Sequence, residues 1–187
     1  MRPLSPEARR ECLFLARKTL HAHVRRQQQA PPYQPVAPAL EEPRGAFVTL
    51  SRAGELRGCV GDVEAFQPLW RAIERCTRSA ASRDPRFGPV RPEELPELRI
   101  EISVLSPLQE LADPLDFEVG RHGLLITQGA GRGLLLPQVA AGQGWSRAEF
   151  LDQTCLKAGL APGAWQSGAR LQAFTADVFS EGEPSPA

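Results

Sequence analysis

One segment alternates apolar and polar side chains more regularly than any other, and it constrains the fold of this chain most. Between Leu98 and Leu105, the apolar residues Ile100, Ile102 and Val104 occupy every second position, with charged or polar residues between them. A period of two is typical of a half-buried β-strand, whose successive side chains point to opposite faces. The segment therefore predicts a strand with one apolar and one polar face.

Two further pairs of strand-like segments are each joined by a turn sequence. Residues 45–50 and 56–60 flank a turn with Gly54, and residues 124–128 and 132–136 flank Gly129-Ala130-Gly131. Short turns of this kind connect antiparallel neighbours, whereas parallel strands need long crossovers. Because helical segments are interspersed, we expect an α+β fold with a mainly antiparallel sheet flanked by helices.

Helix starts are signalled by Ser5-Pro6-Glu7, by Pro68, by Pro137 and by Ser146. A capping hydroxyl and a proline in the first turn are characteristic of helix N-termini. The proline-rich stretch at residues 27–43 predicts either an ordered connector or a flexible linker, and residues 182–187 predict a soft tail. We interpret residues 1–187 as a single domain.

Composition limits the classes of partner. Lys+Arg and Asp+Glu number 22 each, and aromatic residues make up 6%, so neither a basic groove nor a stacking platform for nucleic acid is indicated. No apolar run approaches the roughly 20 residues that span a bilayer, and the N-terminus lacks the apolar core of a signal peptide. We therefore expect a cytoplasmic protein with no nucleic-acid or membrane partner. Its four cysteines form no CxxC pair and are expected to be free thiols.

The segment Leu56–Gly61 is the principal candidate for a functional loop. Gly58 and Gly61 flank Cys59, and glycine in a strand often marks a bulge or a close backbone approach. In a regular strand, Arg57 would share a face with Cys59 and favour its thiolate. The alternative is a buried hairpin cysteine whose neighbouring glycines serve only the backbone.

Three other residues are candidate companions of Cys59. Glu101 and Ser103 lie on the polar face of the predicted strand, where they either are solvated or line a cleft. His122, in a predicted turn, is the best imidazole candidate to pair with the thiol, although turn histidines are commonly just exposed. No cofactor and no metal site is identifiable, since no HExxH, phosphate-binding loop or cysteine cluster occurs.

Several motifs together resemble the AMMECR-type domain family. They are Gly45-Ala46-Phe47-Val48-Thr49-Leu50, Leu56-Arg57-Gly58-Cys59-Val60-Gly61, Asp84-Pro85-Arg86-Phe87, Ile102-Ser103-Val104-Leu105, Leu135-Leu136-Pro137-Gln138-Val139 and Cys155-Leu156-Lys157-Ala158-Gly159-Leu160. The resemblance implies an α+β fold with a second, smaller subdomain, and it implies that the Leu56–Gly61 segment faces a cleft.

The resemblance also implies a biological context. Prokaryotic members look like the first component of the AmmeMemoRadiSam set, together with a Memo-like protein and a radical S-adenosylmethionine protein. Two hypotheses follow for this chain. In the first, it is an enzyme or redox accessory in which Cys59 acts as a nucleophile or ligand, assisted by Arg57, Glu101 or His122, with Ser103 orienting a substrate. In the second, it is a non-catalytic module that binds a partner protein or a small ligand through the same loop, with Gly58, Gly61 and Ser103 at the binding surface. The oligomeric state is not predicted by either.

Overall fold

The computed structural model describes residues 3–26 and 33–182. Residues 27–32 of the predicted connector, and all of the predicted tail except Gly182, lie outside the described residues. The chain divides into two compact units. The first unit comprises the residues up to Leu105 and those from Asp177 onward. The second unit comprises Ser106–Ala176.

The first unit contains the strand of regular alternation in a three-stranded antiparallel arrangement. Strand β1 (Ala46–Arg52) pairs with both β2 (Glu55–Asp62) and β3 (Leu98–Leu105). A tight turn joins β1 to β2, with positive φ angles of 51° at Ala53 and 86° at Gly54. Both hairpin strands and the turn at Gly54 confirm the prediction from sequence.

Two helices cover the apolar face of these strands. Helix α1 (Pro6–Val24) begins with the Ser5 hydroxyl accepting a hydrogen bond from the Ala8 N–H, as its cap sequence predicts. Helix α2 (Leu69–Ser82) places seven buried residues along its length. The core that these elements share includes fully buried aliphatic side chains from both helices, β1 and β3: Leu15, Leu20, Val48, Leu50, Leu69, Ile73, Ile100 and Ile102.

The described part of the proline-rich connector is ordered against α1. The Glu11 carboxylate accepts hydrogen bonds from the Val36 N–H at 2.6 Å and the Ala37 N–H at 2.8 Å. A short 3-10 turn at Pro38–Leu40 then buries Leu40 completely. Of the two interpretations of this stretch, the ordered connector therefore holds from Tyr33 onward.

The second unit has its own strands and helices. Strand β5 (His122–Gln128) pairs antiparallel with β6 (Gly131–Leu135) and with β7 (Arg170–Ser180), and a two-residue strand β4 (Gln109–Glu110) pairs with β7. The helices are α3 (Pro137–Gln143) and α4 (Arg147–Lys157). Their core contains an edge-to-face pair of rings, Phe117 and Phe150, whose centroids are 5.8 Å apart.

Strand β7 begins in the second unit and ends in the first. At its far end, the Glu181 N–H donates to the Ile100 carbonyl at 3.0 Å, within the first unit. The Asp177 carboxylate accepts hydrogen bonds from the Leu4 N–H and from Arg9, and Glu181 pairs with Arg17. Asp177, near the end of β7, and Glu181, just beyond it, thus bind residues of α1. The α+β class, the antiparallel pairing and the second, smaller unit agree with the sequence-based expectation, and no helix in residues 3–26 or 33–182 is long and apolar enough to cross a membrane.

Candidate functional site

The strand register aligns three polar residues across the face opposite to the helices. Thr49 on β1 is the Cα partner of Cys59 on β2 and of Glu101 on β3. Neighbouring strands lie about 4.8 Å apart, so the backbones of Cys59 and Glu101 are separated by roughly 10 Å. All three side chains are half-buried. Cys59, Thr49 and Glu101 form the central row of the candidate site.

Arg57 departs from the regular strand that the sequence predicted. Leu50 pairs with Gly58 but Ser51 pairs with Leu56, so Arg57 is the extra residue of a β-bulge. A bulge breaks strict alternation and re-aims the side chain. The Arg57 guanidinium is held by the Glu94 carboxylate, with Nε 2.8 Å from Oε1, and it donates to the carbonyl of Gly88 at 3.0 Å. The Arg57 side chain therefore binds residues of the segment that precedes β3.

Asp84 is the charged residue that contacts the Cys59 backbone, and the sequence did not single it out as a site residue. Its buried carboxylate accepts the Cys59 N–H at 2.9 Å. The same carboxylate is held by Arg86, whose Nε lies 2.9 Å from Oδ1 and whose Nη2 lies 2.7 Å from Oδ2. These Arg86 hydrogen bonds hold the pKa of Asp84 well below its usual range, despite burial. The available signal was Asp84-Pro85-Arg86, since an aspartate that accepts the N–H two residues on forms a local turn.

The Cys59 thiol lies in surroundings that disfavour the thiolate. Burial raises its pKa, and the carboxylates of Asp84 and Glu101 act in the same direction. The Thr49 hydroxyl, 3.3 Å from Sγ, and the Arg86 guanidinium oppose this shift only in part. The expectation that Arg57 lowers the pKa of Cys59 is therefore wrong, because the pKa rises and Arg57 is paired with Glu94 instead.

The two glycines of the segment are explained by packing. A Cβ on Gly58 would lie 2.2 Å from the Ala80 carbonyl oxygen, so α2 approaches β2 closely on the helix side. A Cβ on Gly61 would lie 2.3 Å from the ring of Phe47, which covers that position. Close packing therefore requires glycine at both positions. This is the structural explanation that the sequence left open as an alternative to ligand binding.

The two remaining candidate residues, Ser103 and His122, do not belong to the central row of the site. Ser103 is the Cα partner of Phe47 and is only 1% exposed, so it is not available at the surface. His122 belongs to the second unit, where its Nδ1 accepts the Glu118 N–H at 3.0 Å. Nδ1 carries no proton when it accepts this bond. The pairing of His122 with Cys59 stays a prediction.

Cys12, Cys76 and Cys155 are fully buried free thiols that pack in the cores. Within the described ranges, no group of three or more His, Cys, Asp or Glu side chains is arranged to hold a metal ion. Cys59 is thus the one described cysteine with a partly accessible side chain.

Comparison with known proteins places these features in a family context. The AMMECR1 family model matches residues 13–179. The chain is 42% identical to protein Mbar_A1807 of Methanosarcina barkeri, covering 94% of this chain and 91% of that protein, and 44% identical to protein MK0488 of Methanopyrus kandleri over 91% and 86%. The crystal structure of uncharacterized protein PH0010 from Pyrococcus horikoshii superposes with a TM-score of 0.86 at 37% identity, covering 94% of this chain and 92% of the other.

Proposed function

This chain belongs to the AMMECR1 family, and we propose that it is a non-catalytic binding component that docks a partner protein on the Leu56–Gly61 segment of β2. The candidate partners are those that the family resemblance implies, a Memo-like protein and a radical S-adenosylmethionine protein acting in the cytoplasm. In this proposal, the partner carries the chemistry and the present chain supplies a fixed surface.

One observation carries the choice of binding over catalysis: the Cys59 thiol is stabilised as a neutral thiol. Burial raises its pKa, the carboxylates of Asp84 and Glu101 act in the same direction, and the Thr49 hydroxyl and Arg86 oppose this shift only in part. A nucleophilic cysteine needs the opposite, a pKa lowered by a nearby cation or a base that removes its proton. The two arginines of this region, Arg57 and Arg86, are already paired with buried carboxylates.

The same ion pairs make the surface rigid. Arg57 and Arg86 both lie beside the ring of Phe87, at 5.9 Å and 5.4 Å from its centroid. Their carboxylate partners anchor the loop on both sides of this ring. Leu56, 40% exposed, adds an apolar contact at the start of the segment. A pre-ordered surface binds with a smaller entropic cost than a flexible one.

The test separates surface complementarity from thiol chemistry. Binding of the purified Memo-like and radical S-adenosylmethionine proteins of the same genome would be measured by calorimetry. Cys59→Ala should retain binding within about threefold, whereas Leu56→Asp should weaken it by at least about tenfold, a loss of about 1.4 kcal/mol. Leu115→Asp is the matched control, because Leu115 is similarly exposed at 43% but lies in the second unit.

The rate of Cys59 alkylation against pH provides the second measurement. A neutral, partly buried thiol should react more slowly than a model thiol near neutrality, and its reaction rate should rise at a higher pH than that of the model thiol. Alkylation with a midpoint near neutrality, or loss of partner-dependent activity in a folded Cys59→Ala protein that still binds, would support the enzyme hypothesis and contradict a non-catalytic role.

A further inference from the structure

A broad groove in the first unit lies on surfaces of α1 and α2 that the candidate site does not use. It is lined by the C-terminal half of α1, by α2 and by residues 89–92, and its volume is about 1630 Å³. Pockets for small molecules typically measure about 300–1,000 Å³. The groove is therefore large enough for a segment of an extended ligand.

The groove is strongly cationic although the whole chain is neutral. Among its lining residues, seven carry a positive charge and Glu74 alone carries a negative one: Lys18, Arg25, Arg26, Arg71, Arg75, Arg78 and Arg91. Arg75 is paired with Asp62, and Arg78 lies 3.6 Å from Glu74. The other five have no salt bridge to any described residue, so their charges are available to a ligand.

Helical spacing arranges these cations in two rows. Arg71, Arg75 and Arg78 are four and three residues apart on α2, which places them on one face over about 10 Å. Lys18 on α1 and Arg25, the C-cap residue of α1, are seven residues apart, which is about two helical turns. A groove between two rows of cations suits a linear polyanion, because successive negative charges can each meet a side chain.

An aromatic pair lies in the same groove. The rings of Tyr33 and Trp70 are 6.1 Å apart, and the Arg71 guanidinium lies 5.0 Å from the centroid of the Trp70 ring. Aromatic and guanidinium planes are the surfaces on which unpaired nucleobases stack. An acidic peptide would need the cations but would gain nothing specific from this arrangement.

We propose that this groove binds single-stranded nucleic acid, with arginines of the two rows contacting phosphates and Trp70 stacking on a base. The proposal goes beyond the docking function of the Leu56–Gly61 segment and involves different residues. Whole-chain charge and aromatic content predicted no nucleic-acid partner, but they average over the surface. The fold gathers seven of the 22 basic residues at one place.

Fluorescence anisotropy with a labelled ten-nucleotide oligouridylate tests the proposal on the full chain. Binding should weaken with salt, with a log–log slope of up to about −3.5 if the five unpaired cations each neutralise one phosphate. Arg71→Glu should weaken binding by at least about tenfold, and Trp70→Ala should do the same while Trp70→Phe restores it. Arg10→Glu is the control, because Arg10 is an exposed arginine of α1 outside the groove.

Three outcomes would overturn the proposal. The first is the absence of binding at 50 mM salt. The second is an equal loss of affinity in Arg10→Glu and Arg71→Glu, which would indicate non-specific charge attraction. The third is displacement of the oligonucleotide by polyglutamate at equal charge concentration, which would assign the groove to an acidic protein segment. Circular dichroism of each variant would verify that it is folded. If the Trp70→Ala protein is not folded, the Trp70→Phe protein still tests the stacking step.

Discussion

The Asp84→Ala substitution removes the buried carboxylate that fastens β2 beside Cys59. Asp84 accepts the Cys59 N–H, the Arg86 N–H and two guanidinium hydrogen bonds. Because β2 stands at the end of the strand order, the Cys59 N–H has no strand partner on that side. Alanine would leave this N–H without its acceptor, so we expect the substitution to destabilise the first unit.

The size of the effect follows from these contacts. A hydrogen bond to a charged group contributes about 1.5–3 kcal/mol, which applies to the bond from the Cys59 N–H. The Arg86 side chain is 53% exposed, so its ion pair is screened and adds only about 1 kcal/mol. The expected cost of Asp84→Ala is therefore about 3 kcal/mol. Arg86→Ala should cost about 2 kcal/mol, because it leaves a buried carboxylate without its cation.

Urea unfolding followed by circular dichroism would measure these costs. The double variant should be about as stable as Asp84→Ala alone, since Arg86 has lost its partner already, and a double-mutant cycle should show this coupling. Arg10→Ala is the control, because the Arg10–Glu7 pair is exposed and screened by solvent and should contribute little to stability. An Asp84→Ala protein as stable as this control would refute the assignment of Asp84 as the anchor of β2.

Three further predictions concern other parts of the structure. Acid should destabilise the protein from about pH 4 downward. The lowered pKa of Asp84 in the folded protein contributes stability that is fully present above the unfolded pKa of about 3.9 and is lost as the pH falls and the folded carboxyl is protonated. The pH profile of the melting temperature in Asp84→Asn should therefore be flatter. Gly58→Ala should cost about 3 kcal/mol in urea unfolding, because its Cβ would overlap a carbonyl oxygen of α2, whereas Gly88→Ala, with open space around it, should be nearly neutral. Asp152→Ala should shift the fluorescence of Trp165 and destabilise the second unit by about 2 kcal/mol, since Asp152 accepts the Trp165 indole N–H at 2.9 Å; an unchanged spectrum would contradict this contact.

The elements of the fold were predictable because their signals are local. The alternation of Ile100, Ile102 and Val104 determines which face of β3 is buried, and Gly54 adopts the positive φ that the turn required. The passage of β7 from one unit into the other was not predictable, because a strand pattern carries no information about its neighbours. The attachment of β7 to α1 through Asp177 depends on tertiary structure.

The candidate site was predictable only in part, for the same reason. Glycine at position 58 indicated either a bulge or a close approach, and the structure has both, with the bulge at Arg57 and the approach at Gly58. The prediction that Arg57 and Cys59 share a face assumed regular strand alternation, and the bulge interrupts that alternation. The contact between Asp84 and Cys59 joins residues 25 positions apart. Such a contact exists only because α2 returns the chain to the edge of β2.

The path of β7 has a consequence for how the chain acquires its structure during synthesis. The first unit uses residues through Leu105 and then needs Asp177 and Glu181 to secure α1. At about 5–20 residues per second, a ribosome would take about 4 to 15 seconds to cover the intervening segment. During that interval, α1 and the incomplete sheet lack the carboxylates that bind Arg9 and Arg17. Helix α1 is therefore synthesised before the residues that secure it, and the nascent protein must keep α1 from binding other partners until the end of β7 has been synthesised.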